Sequence, residues 1–228
     1  MMNDILIKIE DISRVFPVPG GEFTALKNIN ATVQKGSFTI LKGRSGSGKT
    51  TLMNIVGCLD YPTKGKIIIG DKDVSALSER ERENLRRKKF GFVFQSVSLM
   101  PSLNAYQNVE FSLRLAGKKV DADTQKRVRE CLKLVGLSNR MTHMPAELSG
   151  GEQQRVAIAR AIAHRPDVIF ADEPTAELDS AMAANVTQLF KAMAEKEGIT
   201  VLMTTHDVGL MDAADSIIEL ENGERINV

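Results

Sequence analysis

Gly43-Arg44-Ser45-Gly46-Ser47-Gly48-Lys49-Thr50 is the stretch from which the rest of this chain can be read. It satisfies G-x-x-x-x-G-K-[ST] and stands between a β-rich run, Ser37 to Lys42, and a segment from Thr50 to Cys58. In that segment Leu52, Met53, Ile55 and Val56 fall at helical spacing. Strand, glycine loop and helix is the context this motif requires. The glycines let the backbone fold into a nest whose N–H groups point at phosphate oxygens, and the following helix adds its positive N-terminal dipole. Lys49 is then expected to reach the β- and γ-phosphates, and the Thr50 hydroxyl to ligate Mg²⁺. The expected ligand is a nucleoside triphosphate.

The composition sets bounds on everything outside the loop. With 228 residues, 43% hydrophobic and 26% charged, the chain suits one globular domain, alone or carrying a subdomain. Thirty basic residues against 29 acidic ones leave a net charge of +1, which argues against a protein that coats nucleic acid through bulk charge. No nucleic-acid partner is expected. The two cysteines, Cys58 and Cys131, are far apart and form no CxxC, excluding a disulfide scaffold and a Cys-based zinc site and favouring a reducing compartment. No run approaches the roughly 20 apolar residues that span a bilayer, so membrane work would need another chain.

Ile5, Ile7 and Ile9 alternate as in a strand, and Lys66 to Ile69 forms another after a Pro-Thr-Lys-Gly turn. Residues from about Ser78 to Lys89 read as a solvated helix with i,i+4 pairs such as Glu83 and Arg87, and Phe90 to Phe94 as a strand. Ser96 to about Met144 reads as mainly helical, an insertion into an α/β core. A second strand-and-helix series follows: helix Glu152 to His164, strand Val168 to Ala171, helix Ser180 to Lys196 and strand Ile199 to Thr205. Such alternation favours a parallel sheet covered on both faces. Ile217 to Leu220 and Arg225 to Val228 flank Asn222-Gly223, a pair suited to a type I′ hairpin turn.

Two further stretches carry chemistry. Val168-Ile-Phe-Ala-Asp172-Glu173-Pro174 is an apolar strand ending in two carboxylates, the first placed to hold Mg²⁺ and the second to orient and polarise a water. Leu148-Ser149-Gly150-Gly151-Glu152 opens a helix that Ser149 can cap. Its glycines permit close approach by an anion, and the helix end supplies positive dipole.

Taken together, these stretches make the sequence resemble the ATP-binding cassette (ABC) ATPases over nearly its whole length. The motifs fall in the family's order: phosphate loop Gly43 to Thr50, glutamine loop Gln95, signature Leu148 to Glu152, Walker B strand Val168 to Asp172 with Glu173, D-loop Ala176 to Asp179 and switch histidine His206. The resemblance implies a single ATP-binding domain over 1–228, a P-loop NTPase (RecA-like) α/β core. An antiparallel β subdomain joins the core, which covers about 1–95 and 150–228, and a helical subdomain covers about 96–149. It also implies that two cassettes pair head to tail, each ATP lying between one phosphate loop and the other subunit's signature.

On that reading Gly43 to Thr51 bind phosphates, with Lys49 counted among the catalytic groups, and Thr50, Asp172 and Gln95 serve Mg²⁺. Ser149, Gly150 and Gly151 close on the γ-phosphate across the dimer, with Asp179 contributing from the D-loop. Glu173 is the general base for in-line attack by water, His206 contacts the γ-phosphate, and Gln95 links metal and water to the helical insertion. Phe16 is the expected adenine stacker and Phe23 the weaker candidate. Stacking without base-specific hydrogen bonds implies tolerance of other purine nucleotides. Singly, Gln95 also fits a surface amide, His206 a polar strand end, Asp179 a helix cap and Phe16 a core ring. Arg44 stands where the family favours small residues, and Glu177 adds charge to the D-loop. Neither replaces a catalytic group.

The segments Gly91 to Gln95, Leu99 to Val109 and Pro145 to Gly151 look like the group serving lipoprotein release, macrolide and peptide export, and bacterial peptide resistance. The resemblance therefore implies an ATP-hydrolysing subunit, cytoplasmic and peripheral on the inner face of the cell membrane, paired with a second copy. Its integral-membrane permease would dock a coupling helix near Gln95 to Asn108. A regulatory cassette that gates a cell-envelope enzyme through a membrane partner is the alternative within the family.

Overall fold

The computed structural model describes residues 4–226. Two long strands, β1 (Ile5–Val18) and β2 (Gly21–Gln34), pair antiparallel and carry β4 (Lys64–Ile69) and β5 (Lys72–Asp73) in a four-stranded sheet of order β2-β1-β4-β5. The second sheet holds β3 (Phe38–Lys42), β6 (Phe90–Val93), β7 (Val168–Asp172), β8 (Thr200–Thr205), β9 (Ser216–Glu221) and β10 (Glu224–Ile226), in the order β10-β9-β3-β8-β7-β6. All its neighbours run parallel except the β10–β9 hairpin. At the turn Asn222 and Gly223 take φ of 51° and 79°, the left-handed pair of a type I′ turn. The expected end of that hairpin at 227–228 lies outside the described residues.

The central strands are apolar on both faces because both faces are covered. From β7, Val168 and Phe170 point into a core shared with α1 (Lys49–Val56) and the antiparallel sheet. Ile169 and Ala171 point into the core shared with α5 (Gly150–Ile162) and α6 (Ser180–Glu197). The same alternation holds in β8, where Leu202 faces the first core and Val201 and Met203 the second. Helices α3 (Ala105–Leu115) and α4 (Ala122–Leu134) extend the second core through Val109, Leu113, Val128 and Leu132. Both start at capping boxes, on Asn104 and Asp121.

Two expectations need correction. Helix α2 (Glu79–Lys89) is not a freely solvated helix, since Arg82 is 1% exposed, with its guanidinium 3.8 Å from the centre of the Tyr61 ring and donating to the Asp60 carbonyl. Its paired acid is Glu79, which meets Arg86 at 2.5 Å and Arg82 at 3.7 Å, rather than Glu83 with Arg87. Arg82 and Arg86 donate to the Asp60 and Cys58 carbonyls of the loop after α1, and these bonds hold the arginine face of α2 inward. Helix α5 starts at Gly150, two residues before the expected Glu152, because the Ser149 cap and Glu152 draw both glycines into the first turn.

Phe170 packs edge-on to Phe90 at 5.2 Å and stacks on Phe92 at 5.4 Å in the first core. Phe170→Ala is expected to lower unfolding free energy by about 3–5 kcal/mol, measured by denaturant titration.

Candidate active site

Parallel register brings the chemistry to one sheet edge. Lys42 at the end of β3 is level with Thr205 of β8, and Asp172 at the end of β7 is level with Thr204. The phosphate loop, the two carboxylates and His206 therefore all leave the carboxyl ends of adjacent strands, the usual place for ligands in an open α/β sheet. Residues of the phosphate loop, Glu173 and His206 border a cleft of about 690 Å³.

The loop is packed so tightly that glycine is compulsory at two positions. A Cβ on Gly43 would lie 2.3 Å from the Leu220 carbonyl and 2.4 Å from Ser47 Oγ. At Gly48, where φ is 101°, it would meet Leu26 at 2.7 Å and the Ala25 carbonyl at 2.9 Å. Lys49 is buried, and its Nζ donates to the carbonyls of Gly43 at 2.8 Å and Arg44 at 3.0 Å, so the loop itself aims the ammonium. Arg44, Ser45, Gly46, Gly48, Lys49, Thr50 and Thr51 line the cleft, whereas Ser47 Oγ lies buried beside it without a hydrogen-bond partner.

Across the cleft, the Thr50 hydroxyl donates to Asp172 at 3.0 and 3.2 Å. The Thr204 hydroxyl donates to Asp172 Oδ1 at 2.6 Å while accepting from the Glu173 backbone N–H at 2.9 Å. One hydroxyl thus orients both acids. Glu173 takes a φ of 44°, a left-handed conformation costly for a glutamate and of the kind that clusters at functional sites. Its Oε2 lies 3.3 Å from His206 Nδ1, with His206 the more open of the two at 70% exposure. Gln95, exposed at the end of β6, completes the lining opposite.

Other expected residues fall elsewhere. Phe16 does not line the cleft, because its ring is taken up beneath the Arg14 guanidinium at 4.3 Å. Phe23, its partner across the β1–β2 pair, lines the cleft and is 55% exposed. Asp179 caps α6 by accepting from Met182 N–H at 2.9 Å. Ser149, Gly150 and Gly151 open α5 away from this cleft, and Ser149 and Gly150 are exposed.

Two contributors escaped the sequence reading. Thr204 lies within the strand read from Ile199 to Thr205, where nothing local marks its hydroxyl. Gln154 is buried on α5, and its Nε2 donates to Pro174 O at 3.0 Å and Phe94 O at 3.4 Å, joining the signature helix to the segments that carry Glu173 and Gln95. An uncharged residue on an apolar helix face was the available signal for Gln154.

The phosphate nest on a parallel sheet, with an acid pair two strands away, defines a P-loop nucleotide-binding domain. The profile of the family described as ABC transporter matches residues 26–176. The ABC transporter ATP-binding protein MJ0796 of Methanocaldococcus jannaschii is 42% identical over 222 residues, covering 96% of this chain and 94% of that protein. The macrolide export ATP-binding/permease protein MacB of Vibrio parahaemolyticus is also 42% identical, over 99% of this chain but 34% of its own length, so the chain spans about a third of that relative. A dimeric structure of MJ0796 in a post-hydrolysis state bound to ADP and Pi superposes with a TM-score of 0.92 at 40% identity, covering 97% of each chain. The chain belongs to the ABC transporter family and is an ATP-binding, ATP-hydrolysing cassette.

Thr204→Val keeps the side-chain shape and removes the hydroxyl shared by Asp172 and Glu173. Steady-state ATPase assays should show kcat reduced on the order of tenfold or more, with the folded state retained. Phe23→Ala should weaken nucleotide binding more than Phe16→Ala in a fluorescent-nucleotide titration, because only Phe23 borders the cleft.

Proposed function

We propose that two copies of this chain pair head to tail around two ATP molecules and drive a membrane permease. The observation that carries the reading is the separation of two anion-binding surfaces. The phosphate loop, Glu173 and His206 share one cleft, whereas the signature at Ser149 to Gly151, with Ser149 and Gly150 exposed, lies outside its lining and is left to serve a second copy. The dimeric form of MJ0796 supports this arrangement. We assign residues 96–149 to a helical subdomain and 1–95 with 150–228 to the core of a single cassette.

Lys49 and the loop N–H groups of Gly43 to Thr51 would bind and neutralise the phosphates, and Ser149, Gly150 and Gly151 would close on the γ-phosphate from the other copy, beside Asp179. Glu173 would accept a proton from the attacking water, with His206 holding both that carboxylate and the γ-phosphate. The Thr50 hydroxyl and Asp172 carboxylate offer adjacent hard oxygen donors, and no cluster of three or more His, Cys, Asp or Glu side chains among the described residues forms a complete metal cage. That donor set suits Mg²⁺, which keeps few protein ligands and shares phosphate oxygens, with Gln95 within the same cleft. Bound there, Mg²⁺ would neutralise charge on the phosphates.

No helix among the described residues is long and apolar enough to cross a membrane. A groove of about 440 Å³ between β6 and the helical insertion is lined by Phe92, Phe94, Phe111 and Leu115 and rimmed by Arg86, Arg87 and Arg160. Phe94 and Leu115 are exposed there. The groove lies beside the segment Gln95 to Asn108 and suits the coupling helix of a permease, which would hold the cassette at the inner face of the membrane. The kinship to MacB supports an ATPase partnered with a permease.

Glu173→Gln is expected to retain ATP, to lose turnover by about 10²-fold or more, and to accumulate an ATP-bound dimer on size-exclusion chromatography. Hydrolysis at the wild-type rate would refute the assignment of the base.

A further inference from the structure

Arg140 has no part in the site described above, yet it holds Glu152, the last residue of the signature. It closes a short 3-10 turn, Ser138–Arg140, and its Nε donates to Glu152 Oε1 at 3.0 Å. The other oxygen of that carboxylate accepts from the Ser149 backbone N–H at 2.9 Å and from the Ser149 hydroxyl at 3.1 Å. The Glu152 N–H in turn donates to Ser149 Oγ at 3.3 Å. Arg140 Nη1 also lies 3.3 Å from His143 Nε2, which must accept there because a guanidinium has only donors.

The guanidinium has a fixed origin. Tyr106 N–H donates to the Met141 carbonyl and Ala105 N–H to the His143 carbonyl, each at 2.9 Å, pinning the segment after Arg140 to the first turn of α3. The signature hydroxyl is therefore tied through one carboxylate and one arginine to the helical insertion.

Glu152 creates an electrostatic problem for a helix end that receives a phosphate. A carboxylate in the first turn favours the isolated helix, but its charge repels an anion brought up to Ser149 and Gly150. Protonation does not relieve this, since the Ser149 backbone N–H and the Arg140 guanidinium hold the Glu152 carboxyl below the usual carboxylate range. The Ser149 proton is also committed to the carboxylate and has to turn away from it to reach a phosphate oxygen.

We infer that Arg140 is a positioning residue for ATP-driven pairing: by compensating Glu152 it frees the Ser149 hydroxyl to donate to the γ-phosphate held by a second copy. The inference rests on the proposed role of Ser149 to Gly151 at that phosphate. Arg140 touches neither nucleotide nor water, and its effect is exerted through Glu152.

The test is steady-state ATPase of the full chain carrying Arg140→Gln, Glu152→Gln or both, read as the half-saturating ATP concentration and kcat. Binding of a fluorescent ATP analogue to the monomer serves as control. Partial exposure screens the pair, so Arg140→Gln should raise half-saturating ATP on the order of tenfold while leaving monomer binding unchanged. Glu152→Gln in the same chain should restore it to within about twofold of Glu152→Gln alone, because no charge is left to compensate. A double variant as defective as Arg140→Gln would reduce Arg140 to a structural strut and overturn the inference, as would an Arg140→Gln chain like wild type. Ser149→Ala separates the two readings. If it loses activity while Arg140→Gln does not, only this inference fails, and if Ser149→Ala is fully active, the signature's proposed role fails with it.

Discussion

Everything in the site depends on the parallel pairing of β3, β8 and β7, whose register sets Lys42 level with Thr205 and Asp172 level with Thr204. Parallel strands deliver their carboxyl ends to one edge, so three segments distant in sequence arrive at one cleft without bending the chain back. The Thr204 hydroxyl turns that proximity into orientation. It donates to Asp172 and accepts from the Glu173 amide, holding one acid toward Thr50 and the other, in a left-handed conformation, toward His206. A slip of one residue in β8 would turn Thr204 to the opposite face of the sheet and remove it from both acids.

The same economy explains how a chain of net charge +1 handles a polyanion. Its positive field is local: a buried lysine held by loop carbonyls, backbone N–H groups of a nest that tolerates no Cβ at Gly43 or Gly48, and the dipole of α1. The signature end of α5 uses helix geometry again but carries a carboxylate that needs Arg140 beside it. Arginines recur where neighbouring helices and loops leave carbonyls unpaired. Arg82 and Arg86 satisfy carbonyls between α1 and α2, and Arg127 donates to the carbonyls of Ile162 and Ala163 at the end of α5. Long side chains with several donors reach carbonyls that helix ends leave unpaired.

Much of the fold was legible because its signals are local. The nest, the apolar run of β7, the Asn222-Gly223 turn and the cap at Ser149 each depend on a few neighbouring residues. What could not be read depended on partners far along the chain. The Glu-and-Arg-rich helix looked solvated since its composition is that of an exposed helix, and only the loop at Cys58 to Tyr61 makes Arg82 a buried residue. Gln154 looked like any amide on a helix, and its two carbonyl partners come from the segments after β6 and β7. The aromatic nearest the cleft is Phe23 rather than Phe16 because Arg14, two residues earlier on the same face of β1, covers the Phe16 ring.

The sequence by itself determined the chemistry: a phosphate loop, an acid pair, a histidine and a signature, in an order whose residue types admit phosphoryl transfer and little else. Those are properties of short segments, where side-chain type and backbone freedom act over a few residues. Only the tertiary structure decided which of these groups share a cleft and which do not. Asp172, Glu173, Thr50 and His206 are joined by strand register, while the signature opens α5 outside the cleft that the phosphate loop lines. Distances between segments depend on sheet order and on how helices cover the sheet, and these arise from the summed burial of both cores rather than from any one motif.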